Sequence, residues 1–189
     1  AVVVVGPDMP TLEKAAAPHP TVVQAERLGT GHAALQAEPK LAGYTGDVAV
    51  LYADNPLIGP ETLRRLRGAR QRAGLVLLAM RPADPAKYGR VITDASGGVT
   101  RIVEFADASE EERAVGLCNA GVVCAAADDL FRWLKAVRND NRQGEYYLTD
   151  VVALAAAEGA RVEAVEAPET ELRGINSRAE LAEAEAEMQ

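Results

Sequence analysis

The strongest constraint in this chain is a pair of apolar runs with an amphipathic segment between them. Asp47–Tyr52 and Gly74–Met80 have the pattern of parallel strands covered on both faces. Between them, Pro56–Pro60 reads as a turn and Glu61–Ala73 as a helix, with Pro60 and Glu61 suited to its first turn. The same alternation runs through the chain. Ala1–Gly6, Thr21–Gln24, Leu117–Cys124 and Val162–Val165 read as strands. Thr30–Glu38, Asp128–Val137, Tyr147–Glu158 and Ser177–Glu187 read as helices. Gly89–Thr93 and Val99–Glu104 flank Asp94–Gly98, a hairpin signal. This order predicts a single α/β domain over 1–189 with a mostly parallel sheet and one inserted antiparallel hairpin.

Composition narrows the function classes. The net charge of -8 argues against a general nucleic-acid binder. Glu158 to Gln189 holds nine acidic and three basic residues, so the remainder is near neutral and does not strongly repel an anionic nucleotide. No apolar run reaches the roughly 18 residues of a membrane span. Cys118 and Cys124 share one predicted strand, about 20 Å apart, beyond disulfide reach. They read as buried small residues, which fits a reducing cytoplasm.

Ligands of α/β sheets sit beyond the carboxyl ends of the strands, and the polar candidates cluster there. Leu28-Gly-Thr-Gly31 follows a strand and opens a helix, offering close backbone approach and free N–H groups to a phosphate or a base edge; an ordinary βα loop reads the same way. Asp54 suits Mg²⁺, which takes one or two carboxylates plus waters and phosphate oxygens; it equally suits a cap for Asn55-Pro56. Glu104 ends a strand. Asn119 faces away from the cysteines and can read sugar hydroxyls or an acetamido group, or be a polar edge residue. His32 has a packing or capping role. There is no catalytic triad spacing and no zinc spacing.

Together these pieces resemble the uridyltransferase domain of the bacterial bifunctional N-acetylglucosamine-1-phosphate uridyltransferase/glucosamine-1-phosphate acetyltransferase family. The resemblance is carried by Gln24-Ala-Glu-Arg-Leu-Gly-Thr-Gly-His-Ala33, Leu51-Tyr-Ala-Asp-Asn-Pro-Leu57, Tyr88-Gly-Arg90, Ile102-Val-Glu104, Asn119-Ala-Gly121, Gly144-Glu-Tyr-Tyr-Leu-Thr-Asp150 and Gly174-Ile-Asn176. It implies a Rossmann-like nucleotide-diphospho-sugar transferase fold. It implies uridylyl transfer from UTP to N-acetylglucosamine-1-phosphate, giving UDP-N-acetylglucosamine and pyrophosphate for cell-wall precursor synthesis. Gln24 would bond the uracil, with Gly29 and Thr30 beside it. Tyr52, Ala53 and Asp54 would line the uridine and phosphates. Asp54 and Asn176 would hold Mg²⁺ and carry the catalysis. Gly89, Glu104, Asn119 and Thr149 would bind the N-acetylglucosamine portion.

Two departures from the family pattern stand out. Ala53 replaces a usual Gly, and its methyl either crowds the base or points away from it. The family's opening strand and Gly-rich phosphate loop, with its Arg and Lys, have no counterpart here, because Ala1–Gly6 matches the family's second strand. The expectation is roughly 50 further residues before Ala1, about one βα unit and its following helix, and no catalysis by these residues alone. The last helix, 177–187, would lead toward a trimeric β-helix domain in the intact protein. The competing readings are another sugar-phosphate nucleotidyltransferase, or a nucleotide-sugar binding or regulatory module without catalysis.

Overall fold

A computed structural model describes residues 1–85 and 87–187. The strands are β1 (Val3–Val5), β2 (Thr21–Val23), β3 (Asp47–Val50), β4 (Leu75–Met80), β5 (Arg90–Thr93), β6 (Val99–Val103), β7 (Cys118–Ala126) and β8 (Val162–Glu166). The helices are α1 (Pro10–Ala15), α2 (Thr30–Leu35), α3 (Pro60–Arg70), α4 (Glu110–Arg113), α5 (Ala127–Ala136), α6 (Asp150–Ala157), α7 (Glu169–Leu172) and α8 (Arg178–Glu187).

β4 is the centre of the fold. Its six residues are all buried, and its side chains alternate between two cores, as a strand's period of two requires. Leu75, Leu77 and Ala79 pack with Leu130, Trp133 and Leu134 of α5 and Val151, Val152 and Ala155 of α6. Val76, Leu78 and Met80 pack on the other face with Leu66 and Ala69 of α3, and with Cys118, Cys124 and Leu172. Both cysteines are therefore free and buried on one face, as their spacing implies.

The sheet is mixed. β4 runs parallel to β8 and antiparallel to β7. β3 also pairs with β7 in antiparallel fashion, so β3, β4 and β8 point one way and β7 is laid against them. The 94–98 turn joins antiparallel β5 and β6, with the Asp94 carboxylate accepting from the backbone N–H of Ser96 and Gly98. β3 is expected as a doubly covered parallel strand; instead its residues alternate between exposed and half-buried. Its partner is β7, and no other strand flanks it among the described residues. β1 and β2 form a separate parallel pair.

Helix boundaries differ from expectation at two informative places. α2 ends at Leu35, and a 3-10 turn follows at Glu38–Leu41; Pro39 has no N–H to continue an α-helical ladder. α6 begins at Asp150 rather than Tyr147, because the backbone of 146–148 is engaged elsewhere, as described next.

Candidate active site

The Gly-rich loop is held by a distant segment. Gly31 N–H donates to the Tyr146 carbonyl (2.8 Å), Tyr146 N–H donates to the Leu28 carbonyl (2.8 Å), and Leu148 N–H donates to the Thr30 hydroxyl (2.9 Å). Gly29 has φ 110°, and a Cβ there would stand 2.7 Å from the Tyr146 carbonyl oxygen. Only glycine combines that conformation with that approach. Gln24, at the end of β2, donates from its amide nitrogen to the Gly29 carbonyl at 3.0 Å.

Tyr52 joins the parts. Between Leu77 and Ala79 the β4–β7 register shifts, and the bulge contains Gly121 at φ 74°. A Cβ on Gly121 would lie 2.6 Å from two carbons of the Tyr52 ring, so the ring rests on bare backbone. Burial pushes the Tyr52 phenol above its ordinary value; the Thr30 hydroxyl opposes this, and the charges of Glu104 and Asp54 reinforce it. Tyr52 thus stands among the Gly-rich loop, Asp54 and Glu104. Ala53 is exposed.

Asp54 and Asn176 meet across Gly174. A Cβ on Gly174 would be 3.2 Å from Oδ2 of Asp54 and 3.6 Å from Nδ2 of Asn176. Two bonds clamp the strands of chain that carry them: Ile175 N–H to the Asp54 carbonyl, 2.8 Å, and Asn55 Nδ2 to the Leu172 carbonyl, 2.6 Å. The Asp54 carboxylate makes no hydrogen bond or ion pair with the described residues. Among those residues no group of three or more His, Cys, Asp or Glu side chains could hold a metal. An unpaired carboxylate beside an amide is instead the sparse, oxygen-bearing donor set that Mg²⁺ uses when phosphates complete its shell.

The third group surrounds Glu104. The Thr149 hydroxyl donates to Glu104 Oε1 at 3.0 Å, and a Cβ on Gly89 would be 3.2 Å from Oε2. Asn119 N–H donates to the Gly89 carbonyl at 2.9 Å, and Asn119 Oδ1 accepts from Gly121 N–H at 3.2 Å. Burial raises the Glu104 carboxyl, opposed by the Thr149 bond and reinforced by Asp107. Beside it, Asp150 is pushed up to about 6 by burial and by the charges of Glu104 and Asp107. Glu104, Asp107, Tyr147 and Asp150 line a cavity of about 390 Å³. A larger groove of about 630 Å³, between Glu38–Tyr44 and α5, includes none of the expected site residues.

Apart from the exposed Ala53, the expected positions fall in three groups: Gln24, Gly29 and Thr30; Asp54 and Asn176; Gly89, Glu104, Asn119 and Thr149. Tyr52 lies among them. Gly121, Asp150 and the Tyr146–Leu148 backbone are unforeseen. Gly121 lies within the Asn119-Ala-Gly motif, yet nothing in its spacing reveals a bulge.

No protein-family model matches the chain. It is 65% identical over 191 residues to the "Bifunctional protein GlmU" of Gluconacetobacter diazotrophicus, covering 98% of this chain and 41% of that protein. It is 62% identical over 189 residues to the GlmU of Gluconobacter oxydans, covering 100% and 42%. Among solved structures it is similar to a UDP-glucose pyrophosphorylase complexed with UDP-glucose (TM-score 0.68, 19% identity, 87% of this chain and 71% of that one). It is also similar to the nucleoside-diphosphate-sugar pyrophosphorylase of Vibrio cholerae RC9 (TM-score 0.69, 15% identity, 97% and 79%). These structures share the α/β fold. At 62% identity over all of its residues, the chain is similar to a segment of proteins named bifunctional GlmU, of whose length it spans about two fifths.

Proposed function

We propose that this chain is the base-, metal- and sugar-binding part of a nucleotidyltransferase that joins UTP and N-acetylglucosamine-1-phosphate to give UDP-N-acetylglucosamine and pyrophosphate. The observation that carries this reading is the gathering of a base loop, an unpaired Asp54 beside Asn176, and a Glu104–Thr149 sugar group around one tyrosine.

Gln24 and the 28–31 backbone hold the uracil. Glu104, Gly89, Asn119 and Thr149 hold the sugar hydroxyls and acetamido group. Positioned in this way, a phosphate oxygen of the sugar phosphate attacks the α-phosphorus of UTP in line and pyrophosphate leaves. That oxygen is already mostly ionised at neutral pH, with a second phosphate pKa of about 6, so no side chain need act as a base. Effective concentration supplies most of the rate. Asp54 and Asn176 would hold Mg²⁺, which when bound would screen phosphate charge.

In this reading the protein works in the cytoplasm.

The test is pyrophosphate release from UTP and N-acetylglucosamine-1-phosphate by the full-length protein with Mg²⁺. No release, or equal release with glucose-1-phosphate, rejects the substrate assignment. Asp54→Ala is expected to abolish metal-dependent turnover; retained activity removes Asp54 from the metal role.

A further inference from the structure

The Gln24 amide is held from two sides. Its nitrogen donates to the Gly29 carbonyl at 3.0 Å and lies 3.0 Å from Nδ1 of His32. A primary amide nitrogen carries two hydrogens and accepts none. One hydrogen goes to the carbonyl and the other to Nδ1, so Nδ1 bears the lone pair. Turning the amide over would set its oxygen against the Gly29 carbonyl oxygen, so the network fixes both the amide orientation and the tautomer. Nε2 of His32 then carries the ring proton. Gln36 brings its own amide nitrogen within 3.3 Å of Nε2 and donates to the His32 carbonyl at 3.1 Å. Two donors cannot bond each other, so the carbonyl bond is the one Gln36 makes. The ring also leans on Tyr146, with centroids 6.3 Å apart.

We propose that His32 is a positioning residue: by engaging the Gln24 amide nitrogen it makes Gln24 a pure hydrogen-bond acceptor toward the nucleobase, and so selects uracil over cytosine. The inference rests on the reading of Gln24 as the base contact. Only Oε1 of Gln24 is left to face a ligand. Uracil presents N3–H there, whereas cytosine presents an unprotonated N3. Acceptor facing acceptor forfeits the bond and leaves a polar atom unpaired. Removing His32 releases one amide hydrogen, and a freed amide can serve either base.

The experiment is steady-state kinetics of the full-length protein with UTP and with CTP, at saturating N-acetylglucosamine-1-phosphate. Where CTP is not turned over, its inhibition constant against UTP is read instead. His32→Ala should raise KM for UTP about three- to tenfold, the worth of one hydrogen bond, with a smaller change in kcat. It should lower the UTP/CTP preference by about tenfold. His32→Asn, whose Oδ1 can replace Nδ1 as acceptor, should restore most of both. If His32→Ala leaves the preference intact while Gln24→Ala lowers it, the inference is overturned and the base reading stands. If Gln24→Ala also leaves it intact, the base reading itself has failed. Equal kcat losses in both His32 variants with an unchanged preference would show a packing role only and overturn the proposal.

Discussion

Gly121→Ala separates two costs at one position. A methyl there would stand 2.6 Å from two ring carbons of Tyr52, well inside the contact distance of about 3.5–4.0 Å. The backbone is also at φ 74°, which costs a residue with a side chain roughly 1–2 kcal/mol. Overpacking a site that cannot relax adds about 1–3 kcal/mol. The expected loss is therefore about 2–5 kcal/mol, most of it shared with the ring. The assay is urea unfolding of four proteins: the parent, Gly121→Ala, Tyr52→Ala and the double variant. With the ring gone, Gly121→Ala should cost only the backbone term, about 1–2 kcal/mol, leaving a coupling energy of about 1–3 kcal/mol. Tyr52→Phe keeps the ring and should keep the full penalty. If Gly121→Ala costs the same with and without the Tyr52 ring, the contact does not explain the glycine and the reasoning is refuted.

Other outcomes follow from the same geometry. Gly29→Ala should destabilise far more than Gly43→Ala in thermal melts, since both have positive φ but a Cβ at Gly43 meets nothing within 4 Å; similar shifts would mean the Tyr146 contact yields easily. Thr149→Val removes the donor to Glu104 and should raise KM for the sugar phosphate several-fold while leaving KM for UTP unchanged; a uniform effect on both would place Thr149 outside the sugar group. The Asp150 carboxyl is raised in the folded protein to about 6, so the folded state holds its proton more tightly than the unfolded chain. The side chain is then harmless below about pH 4, destabilises increasingly as pH rises toward about 6, and destabilises fully above that. Discounted for its partial exposure to solvent, Asp150→Asn should therefore gain about 1–2 kcal/mol at pH 7–8 and nothing near pH 4; a gain independent of pH would rule out the charge as its source.

The sequence made the frame readable where local pattern and environment agree. The run at Leu75–Met80 has no polar residue to expose, and every member is buried. The glycines of Leu28–Gly31 mark a close backbone approach, and one is present. β3 misleads because a composition of Val and Ala does not say which way its neighbour runs. That is settled by β7, about 70 residues later. The helical pattern over Tyr147–Glu158 is real, but its first turn is lost to hydrogen bonds with Leu28, Thr30 and Gly31, which no local window contains. His32 reads locally as a packing residue on α2, because its contact with Gln24 is made from a strand end.

The hook between Leu28–Gly31 and Tyr146–Leu148 also sets an order of assembly. Domains form as they leave the ribosome, the N-terminal end first. Gln24 and the glycine loop emerge early, but the carbonyl and amide that hold the loop belong to Tyr146. β4 likewise waits for β7 and β8. If Gln24 is the base contact, as proposed above, a nascent chain halted before Tyr146 would carry that side chain without the loop shape that presents it. Binding of a uridine nucleotide to arrested chains of graded length should therefore appear in one step, once 146–148 has cleared the exit tunnel.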